Sequence, residues 1–398
     1  MADRGGVTRT ATEACICKSS SASLFPDQFS CAERMRDGST VRKRTQNPLL
    51  NRVYLSRHLV IQKMISSCLK AFQRNCIAVG NNYQRIQLLL LGAGTDITFE
   101  ELYSDTTRTF AVDFPEVIER RMSALQDSKI RDTSSTSIAG DLRCFDKVWD
   151  QLLLSGFDKN CSTIVLIECV LCYIDTPSVL KMLQQINALI CGQSVLITYD
   201  PMSPMSSASE SLLPYQTRKS NTFAQMMVDK FGERRAPILH CIGSTTSQEK
   251  FIKSCGWKYV KSVNMFNALR AYLCADKRNV PILAEPFDEF ASLALIHKLY
   301  GVSIASCDMK MFDACLVELV VDTEDYTDRS TASKCSYGSH GIIADVSTSS
   351  RNSPVQDTSR KSQIILSECS QHSDENTLTS LLFRLNVAEQ RVHILAEK

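Results

Sequence analysis

The chain of 398 residues lacks the features that mark several classes of protein. No apolar run reaches the length of about 18 residues that a membrane-spanning helix needs. The first residues, MADRGGVTRTATEA, contain no apolar core of a secretion signal. The formal net charge is only +2, which creates no field that would attract nucleic acid or an anionic lipid surface. We therefore expect a cytoplasmic protein, a monomer, with neither a membrane nor a nucleic acid as its partner.

Two kinds of reactive site are also missing from the sequence. Cys169 and Cys172 form one Cys-x-x-Cys pair, and a zinc site would need a second pair at suitable spacing, which we do not find. The 17 cysteines are scattered through apolar runs of a long chain, so we expect reduced thiols rather than a disulfide framework. No Ser-His-Asp or Cys-His set indicates a covalent nucleophile. We therefore expect neither a metal centre nor nucleophilic catalysis.

A short apolar run followed by two glycines is the most informative stretch that is present. Residues 86–94 read IQLLLLGAG. This run suits a strand buried on both faces, as the central strand of a parallel sheet is. Gly92 and Gly94 lack the Cβ atoms that would keep a ligand away from the backbone. Asp113 ends a second apolar run, at a position where a carboxylate can accept hydrogen bonds from a ribose.

The third position of the glycine pattern separates two possible cofactors. Counting Gly-x-Gly-x-x-Gly from Gly92 puts Ile97 where a dinucleotide site needs a small residue for close packing under a pyrophosphate. S-adenosylmethionine (AdoMet) has no phosphate, so its loop needs a close approach of the backbone but not that tight helix start. We therefore expect AdoMet rather than NAD. A strand, turn and helix without a ligand is the alternative that the loop alone leaves open.

Alternating apolar and helix-like segments predict an α/β fold with a doubly wound sheet. Four further strands are predicted after the first, at residues 109–112, 137–140, 163–167 and 193–198. Each has an acidic residue at or just past its end, namely Asp113, Asp141, Glu168 and Asp200. The carboxyl ends of parallel strands form the edge at which open α/β sheets bind ligands. We therefore expect these four carboxylates to form one site.

The segments outside this core predict helices and a polar tail. Apolar residues recur at three- and four-residue steps over residues 51–72, which predicts a long helix carrying Arg52 and Arg57 beside its apolar face. Either arginine could bring a guanidinium to a bound carboxylate. Residues 256–263 predict a strand, and residues 280–300 predict a helix.

Several short motifs, taken in chain order, resemble one family. They are Cys17-Lys18 and the stretches 51–57 (NRVYLSR), 91–96 (LGAGTD), 112–115 (VDFP), 140–143 (GDLR) and 167–173 (IECVLCY). In this combination the chain, over roughly residues 7–305, resembles the leucine carboxyl methyltransferases. That family uses AdoMet to methylate the C-terminal leucine carboxylate of the catalytic subunit of protein phosphatase 2A. The resemblance therefore implies a Rossmann-like methyltransferase, AdoMet as cofactor, that subunit as partner, and a role in regulating assembly of the phosphatase holoenzyme.

The resemblance also implies the residues that bind the cofactor. They are Lys18 and Arg57 at the methionine carboxylate, Gly92 and Gly94 under the methionine moiety, Glu168 near its amino end, Asp113 at the ribose, and Asp141 and Leu142 at the adenine. The glycine loop is generic to AdoMet enzymes, whereas the DFP, GDLR and ECVL blocks together are specific. From the resemblance, together with the changes of composition along the chain, we expect an N-terminal cover segment (1–50), an AdoMet-dependent methyltransferase domain (51–307) and a tail (308–398).

We expect that tail to be largely disordered. Residues 322–377 are rich in Ser, Thr, Asp and Lys and have few aromatic residues, so they cannot bury enough apolar surface to offset their chain entropy. A helical pattern returns over residues 376–398, which predicts either a short terminal helix that docks on a partner or a weakly formed end.

Methylation of a carboxylate needs no general base, because the acceptor is already an anionic nucleophile near neutral pH. The catalytic task is then to position the acceptor. Tyr199 and either Arg234 or Arg235 are the candidate catalytic residues for holding it. A tight bidentate ion pair would quench the nucleophile, so a partial hold by Tyr199 or a water is the favoured interpretation. A solvated loop is the alternative for the two arginines.

Two other functions share the predicted cofactor site. One is a carboxyl methyltransferase that acts on a tRNA base side chain, of the wybutosine-synthesizing type, for which the basic residues 42–44 would supply phosphate contacts. The other is a catalytically inactive binding module that keeps the fold and recruits partners through its tail.

Overall fold

A computed structural model describes residues 4–24, 47–78, 86–103, 105, 107–126, 135–202, 222–275 and 287–316. The strands are β1 (Ile86–Leu91), β2 (Thr107–Asp113), β3 (Ser135–Ala139), β4 (Thr163–Glu168), β5 (Ser194–Pro201), β6 (Tyr259–Asn264) and β7 (Tyr300–Ser306). The helices are α1 (Arg4–Leu24), α2 (Pro48–Ala78), α3 (Thr98–Tyr103), α4 (Pro115–Gln126), α5 (Phe145–Leu154), α6 (Thr176–Leu189), α7 (Thr222–Glu233), α8 (Thr245–Ser254), α9 (Met265–Ala275), α10 (Phe290–Lys298) and α11 (Met309–Leu316).

The predicted α/β fold with a doubly wound sheet is confirmed. The seven strands form one sheet in the order β3-β2-β1-β4-β5-β7-β6. Strand β1 pairs in parallel with both β2 and β4. Strands β2 and β3 therefore lie on one side of β1 and strands β4 and β5 on the other, so the strand order switches direction at the boundary between β1 and β4. Open α/β sheets bind ligands at such a switch point, beyond the carboxyl ends of the strands.

The alternation of side chains along β1 explains why its sequence is apolar throughout. Leu88 and Leu90 pack in a core on one face of the sheet, together with α2, α9 and α11. Leu89 and Leu91 pack in a second core on the opposite face, together with α5, α6 and α8. Successive side chains of a strand point to opposite faces, so a strand covered on both sides needs apolar residues at every position.

The predicted helix over residues 51–72 is confirmed, and it is longer than the apolar pattern indicated. Helix α2 begins at Pro48, a residue favoured at the first helical position, and ends at Ala78. Its buried residues Ile61, Ile65, Cys68 and Phe72 follow three- and four-residue steps and form its contact with the sheet.

Strand β7 was not expected from the sequence. Of the helix predicted over residues 280–300, the part that is helical is α10 (Phe290–Lys298); residues 287–289 are not helical, and residues 280–286 lie outside the described residues. Residues 300–306 then form a strand antiparallel to both β5 and β6. Val302 and Ile304 of β7 are fully buried. The prediction was wrong at this end because a short apolar run does not distinguish a helix end from a buried strand.

The packed structure also continues past the boundary predicted at residue 307. Helix α11 places Met311 and Cys315 in the same core as α2. The segments predicted as disordered (322–377) and as a terminal helix (376–398) lie outside the described residues, as do the basic residues 42–44. Within the described part of the chain, none of the helices is both long and apolar enough to cross a membrane.

We predict that Met311→Ala destabilises the protein and that Met309→Ala does not. Met311 is fully buried, and removing a buried methionine side chain costs about 2–5 kcal/mol of unfolding free energy. Met309 lies on the same helix but is exposed, so its change should stay within about 0.5 kcal/mol. Urea unfolding of the two variants measures the difference, and equal effects would show that α11 does not belong to the cooperative core.

Candidate active site

A cavity of about 400 Å³ lies at the carboxyl edge of the parallel strands. This volume falls within the range of about 300–1,000 Å³ that is usual for sites of small ligands. Helices α1, α2 and α7, the loop after β1 and the ends of β4 and β5 contribute to its lining. The residues that were predicted for the site and that line this cavity are Lys18, Arg57, Gly92, Gly94, Asp113, Asp141, Leu142, Glu168, Tyr199 and Arg234.

The backbone conformation favours glycine at both glycine positions of the loop after β1, and close packing adds a second requirement at one of them. Both have positive φ, 73° for Gly92 and 64° for Gly94, a conformation that glycine adopts without strain. A Cβ on Gly92 would also clash with Cγ2 of Val170, so this glycine allows the loop to pack closely against the segment after β4. A Cβ on Gly94 would lie 3.9 Å from the Ala11 side chain of α1, which is ordinary contact.

Asp113 is fixed by two backbone donors at the tip of β2. Its Oδ2 accepts a hydrogen bond from Gly94 N at 2.8 Å, and its Oδ1 accepts one from Phe114 N at 2.7 Å. Burial raises the pKa of Asp113, and these two hydrogen bonds oppose the rise. Each carboxylate oxygen has a second lone-pair site, so both remain able to accept from a ribose diol.

Two cations and two carboxylates form a buried network at the ends of β1 and β4. Lys18 Nζ lies 2.7 Å from Asp96 Oδ2 and 3.5 Å from Glu168 Oε1. Arg57 donates to the same Glu168 oxygen and also contacts Cys169 Sγ at 3.4 Å. Burial opposes ionisation of Glu168, but Arg57 and Lys18 outweigh it and lower the pKa of its carboxyl. The network can bind a zwitterion, because it presents both signs of charge to the cavity.

The acidic residue after β3 is held by its own motif. Asp141 caps the short 3-10 helix Leu142–Cys144 by accepting from Arg143 N at 3.0 Å. The Arg143 side chain also donates to Asp141, from Nε at 2.9 Å, and this hydrogen bond lowers the pKa of Asp141. Leu142 is buried and lines the cavity beside it. An apolar side chain next to a carboxylate suits a flat heterocycle that carries an amino group.

Tyr199 and Arg234 line the cavity, whereas Arg235 does not. The Tyr199 ring stacks on Tyr300 with 5.3 Å between the ring centres, and Arg57 Cζ lies 5.1 Å from the centre of the Tyr199 ring. Arg234 pairs with Glu13 of α1 at 2.7 Å. Arg235 is exposed and has a positive φ of 58°, and its carbonyl lies against Gly6, where a Cβ would clash. Its backbone supports α1, so the assignment of the Arg235 side chain to the site is not supported.

Two further expectations need correction. Asp200 does not line the cavity: it is buried and accepts from Cys172 N at 3.2 Å, so three of the four strand-end carboxylates share the site. Arg52 does not face the cavity either, because its guanidinium lies 3.9 Å from the centre of the Phe287 ring. Of the two arginines of α2 that were expected near a bound carboxylate, Arg57 lines the cavity and Arg52 does not.

Some lining residues were not predicted, although their motifs were. Asp96 ends the glycine-loop motif, Arg143 ends GDLR, and Tyr173 ends the motif at 167–173. Their place in those motifs was the signal that could have identified them. Glu13 and Tyr300 carried no such signal, because they reach the cavity through the packing of α1 and through β7.

Comparisons with known proteins identify one family model and two kinds of relative. The sequence model described as leucine carboxyl methyltransferase matches residues 7–187. Leucine carboxyl methyltransferase 1 of Rattus norvegicus is 24% identical over 75% of this chain and 89% of its own length. The tRNA wybutosine-synthesizing protein 4 of Rattus norvegicus is 24% identical over 66% of this chain, and the match spans only 39% of that longer protein.

One solved structure, a putative methyltransferase from Thermobifida fusca YX, is 14% identical and matches with a TM-score of 0.44. That match covers 74% of this chain and 93% of the other. At this score the likeness adds nothing to the topology described above.

We predict that Arg57→Ala weakens binding of AdoMet but not of methylthioadenosine, which lacks the amino acid portion. If Arg57 pairs with the methionine carboxylate, the lost hydrogen bonds to a charged group amount to about 1.5–3 kcal/mol, or one to two orders of magnitude in affinity. Arg57→Lys keeps the charge without the planar fork and should lose less. Calorimetric titration of both ligands measures the ratio of the affinities.

Arg52→Ala is the matched control, because it removes a second buried arginine of α2 that lies outside the cavity. We expect it to lower the melting temperature through lost packing and to leave the ratio of the two affinities unchanged. Equal weakening of both ligands by Arg57→Ala would show that Arg57 acts through folding rather than through the methionine carboxylate.

We predict that Asp200→Asn removes a pH dependence of stability. Burial raises the pKa of Asp200 from 3.8 to about 7. Between these values the folded state holds a proton that the unfolded state has released, so the stability contribution of Asp200 is present below 3.8 and is lost as pH rises towards about 7. Urea unfolding from pH 4 to 8 should show wild type losing stability relative to Asp200→Asn over that interval. A constant difference between the two proteins would contradict the shift.

Proposed function

Because the chain belongs to the leucine carboxyl methyltransferase family and its cofactor is AdoMet, we propose that it methyl-esterifies the C-terminal leucine carboxylate of the catalytic subunit of protein phosphatase 2A. Modification at that position would regulate assembly of the phosphatase holoenzyme. The names of its relatives describe a leucine carboxyl methyltransferase, and the phosphatase substrate is what the family resemblance implies.

One observation carries the proposal: the described lining of the cavity includes no histidine, the side chain whose ordinary pKa best suits a general base near neutral pH. Burial raises the pKa of Cys169 to about 12 and raises that of Tyr199 well above its usual value, so both stay protonated. Asp96 and Glu168 are held ionised by their cations, which makes them weak bases. An acceptor that enters already ionised, such as a carboxylate, needs none of these groups to remove a proton.

The residues of the cavity fit AdoMet. When bound, this cofactor supplies a methyl group that is activated by the positive sulfur. Lys18, Arg57 and Glu168 would hold its amino acid portion, Asp113 its ribose, and Leu142 with Asp141 its adenine. The orientation of Asp113 by two backbone donors keeps that carboxylate in place before any ligand arrives.

The acceptor would lie on the side of Tyr199 and Arg234. Arg234 already pairs with Glu13, so part of its charge is neutralised and it can hold a carboxylate oxygen without quenching it. Leu50, Val53 and Ile296 line the same cavity and provide apolar contact for an aliphatic side chain. Holding two reactants in a near-attack geometry can contribute on the order of 7–11 kcal/mol, so positioning alone can supply much of the catalysis.

A second candidate function is methylation of a carboxyl group on a tRNA base side chain. The similarity to tRNA wybutosine-synthesizing protein 4 supports it, and the acceptor chemistry would be the same. The two candidates differ in the macromolecule that presents the carboxylate.

Transfer of labelled methyl from AdoMet tests the proposal. We expect label in the purified phosphatase catalytic subunit, no label in a subunit that lacks its terminal leucine, and release of the label by mild base, because the product is an ester. Unmodified tRNA and tRNA carrying the wybutosine precursor serve as the parallel acceptors. Label in tRNA alone would favour the second candidate. No label in any acceptor, from a protein that binds AdoMet by calorimetry, would indicate a binding module.

A further inference from the structure

A buried arginine outside the cavity holds the backbone of the glycine loop. Arg121 lies on α4 and is fully buried. The other buried residues of this helix are Val117 and Ile118. Arginine is almost never fully buried unless it is paired. Its partner is Glu100 of α3, which is also buried, and the two side chains form an ion pair.

The same guanidinium donates to three carbonyl groups of the loop between β1 and α3. Arg121 Nη1 lies 2.7 Å from Asp96 O, 3.1 Å from Gly94 O and 3.4 Å from Ala93 O. Neither Arg121 nor Glu100 lines the cavity. The contacts therefore act on the side of the loop opposite the ligand.

The planarity of the peptide bond carries this contact through to the cavity. In a trans peptide the carbonyl and the following N–H point in opposite directions. Because Arg121 draws the Ala93 carbonyl towards itself, the Gly94 N–H points away from it, and that N–H donates to Asp113 Oδ2 at 2.8 Å. A continuous chain of contacts thus runs from Glu100 through Arg121 and the Ala93–Gly94 peptide to Asp113.

We propose that Arg121 is a positioning residue for the nucleoside portion of AdoMet: it fixes the glycine loop from behind and, through the Gly94 N–H, orients Asp113 towards the ribose. Lysine cannot replace it, because one ammonium group cannot satisfy Glu100 and three carbonyls in the geometry of a planar guanidinium. The proposal depends on the assignment of AdoMet to this cavity and not on the identity of the methyl acceptor.

The test compares Arg121→Lys with Arg108→Lys by calorimetric titration of AdoMet and methylthioadenosine. Arg108 is a matched control, because it also donates to a backbone carbonyl, Ser155 O at 3.0 Å, but lies outside the cavity lining. We expect Arg121→Lys to weaken both ligands about tenfold, the loss of roughly one hydrogen bond to a charged group. Arg108→Lys should change either affinity less than about twofold, even where its melting temperature falls equally.

A double-mutant cycle separates positioning from general destabilisation. Asp113→Ala alone should reduce affinity for both ligands. If Arg121 acts through Asp113, adding Arg121→Lys to Asp113→Ala should cost less than about a further twofold, because coupled residues are not additive. Hydrogen exchange of the peptide that spans residues 92–97 should also accelerate in Arg121→Lys and not in Arg108→Lys.

Wild-type affinity in folded Arg121→Lys would overturn the proposal, and so would a full tenfold loss on top of Asp113→Ala. Glu100→Asp provides a milder displacement, should Arg121→Lys fail to fold. Its shorter side chain draws the guanidinium away from the loop, and we expect a smaller loss of affinity that again disappears in the Asp113→Ala background. No methyl acceptor is used, so a wrong assignment of the phosphatase substrate would leave this result unaffected.

Discussion

The buried charges at the sheet edge constrain how the surrounding elements can pack. Lys18 comes from α1, Arg57 from α2, Asp96 from the loop after β1 and Glu168 from the end of β4. A charge left without a partner in the protein interior costs several kcal/mol. No one of these side chains can therefore be buried unless the other elements are in place. Helix α1 in particular is tied to the sheet by a lysine 78 residues away from its partner Asp96.

This network also explains how a zwitterionic ligand can bind where charges are already paired. Its two cations and two carboxylates neutralise each other when the cavity holds no ligand. An amino acid moiety brings one carboxylate and one ammonium group, so its entry exchanges partners and leaves the sum of charges unchanged. We infer that the cost of burying the ligand charges is reduced because the site is balanced both before and after binding.

The order of the strands matches the order of the groups in the proposed ligand. Asp141 and Leu142 follow β3, Asp113 ends β2, the glycine loop follows β1, and Glu168 ends β4. Neighbouring strands lie about 4.8 Å apart, so these four positions extend over about 14 Å along the sheet edge. Adenine, ribose and the amino acid portion would thus lie across successive strands.

Much of this arrangement could be predicted from the sequence, because it depends on local patterns. The apolar run before Gly92 and the acidic residues after the strands identified the parallel part of the sheet and three of the carboxylates that line the cavity. Strand β7 and the support by Arg121 could not be predicted in this way. The first depends on pairing with β5 and β6, and the second on contacts across 25–28 residues that leave no periodic signal.

The wrong prediction for Asp200 shows how the alternation of side chains along β5 determines which residue faces the methyl acceptor. Tyr199 and Asp200 are consecutive in β5, so their side chains point to opposite faces and one of them can line the cavity. Tyr199 lines it, stacked on Tyr300, while Asp200 is turned to the backbone of Cys172. A carboxylate at the position of Tyr199 would repel an anionic acceptor. The alternation of β5 therefore leaves a neutral hydrogen-bonding group, rather than a second carboxylate, beside the reaction centre that we propose.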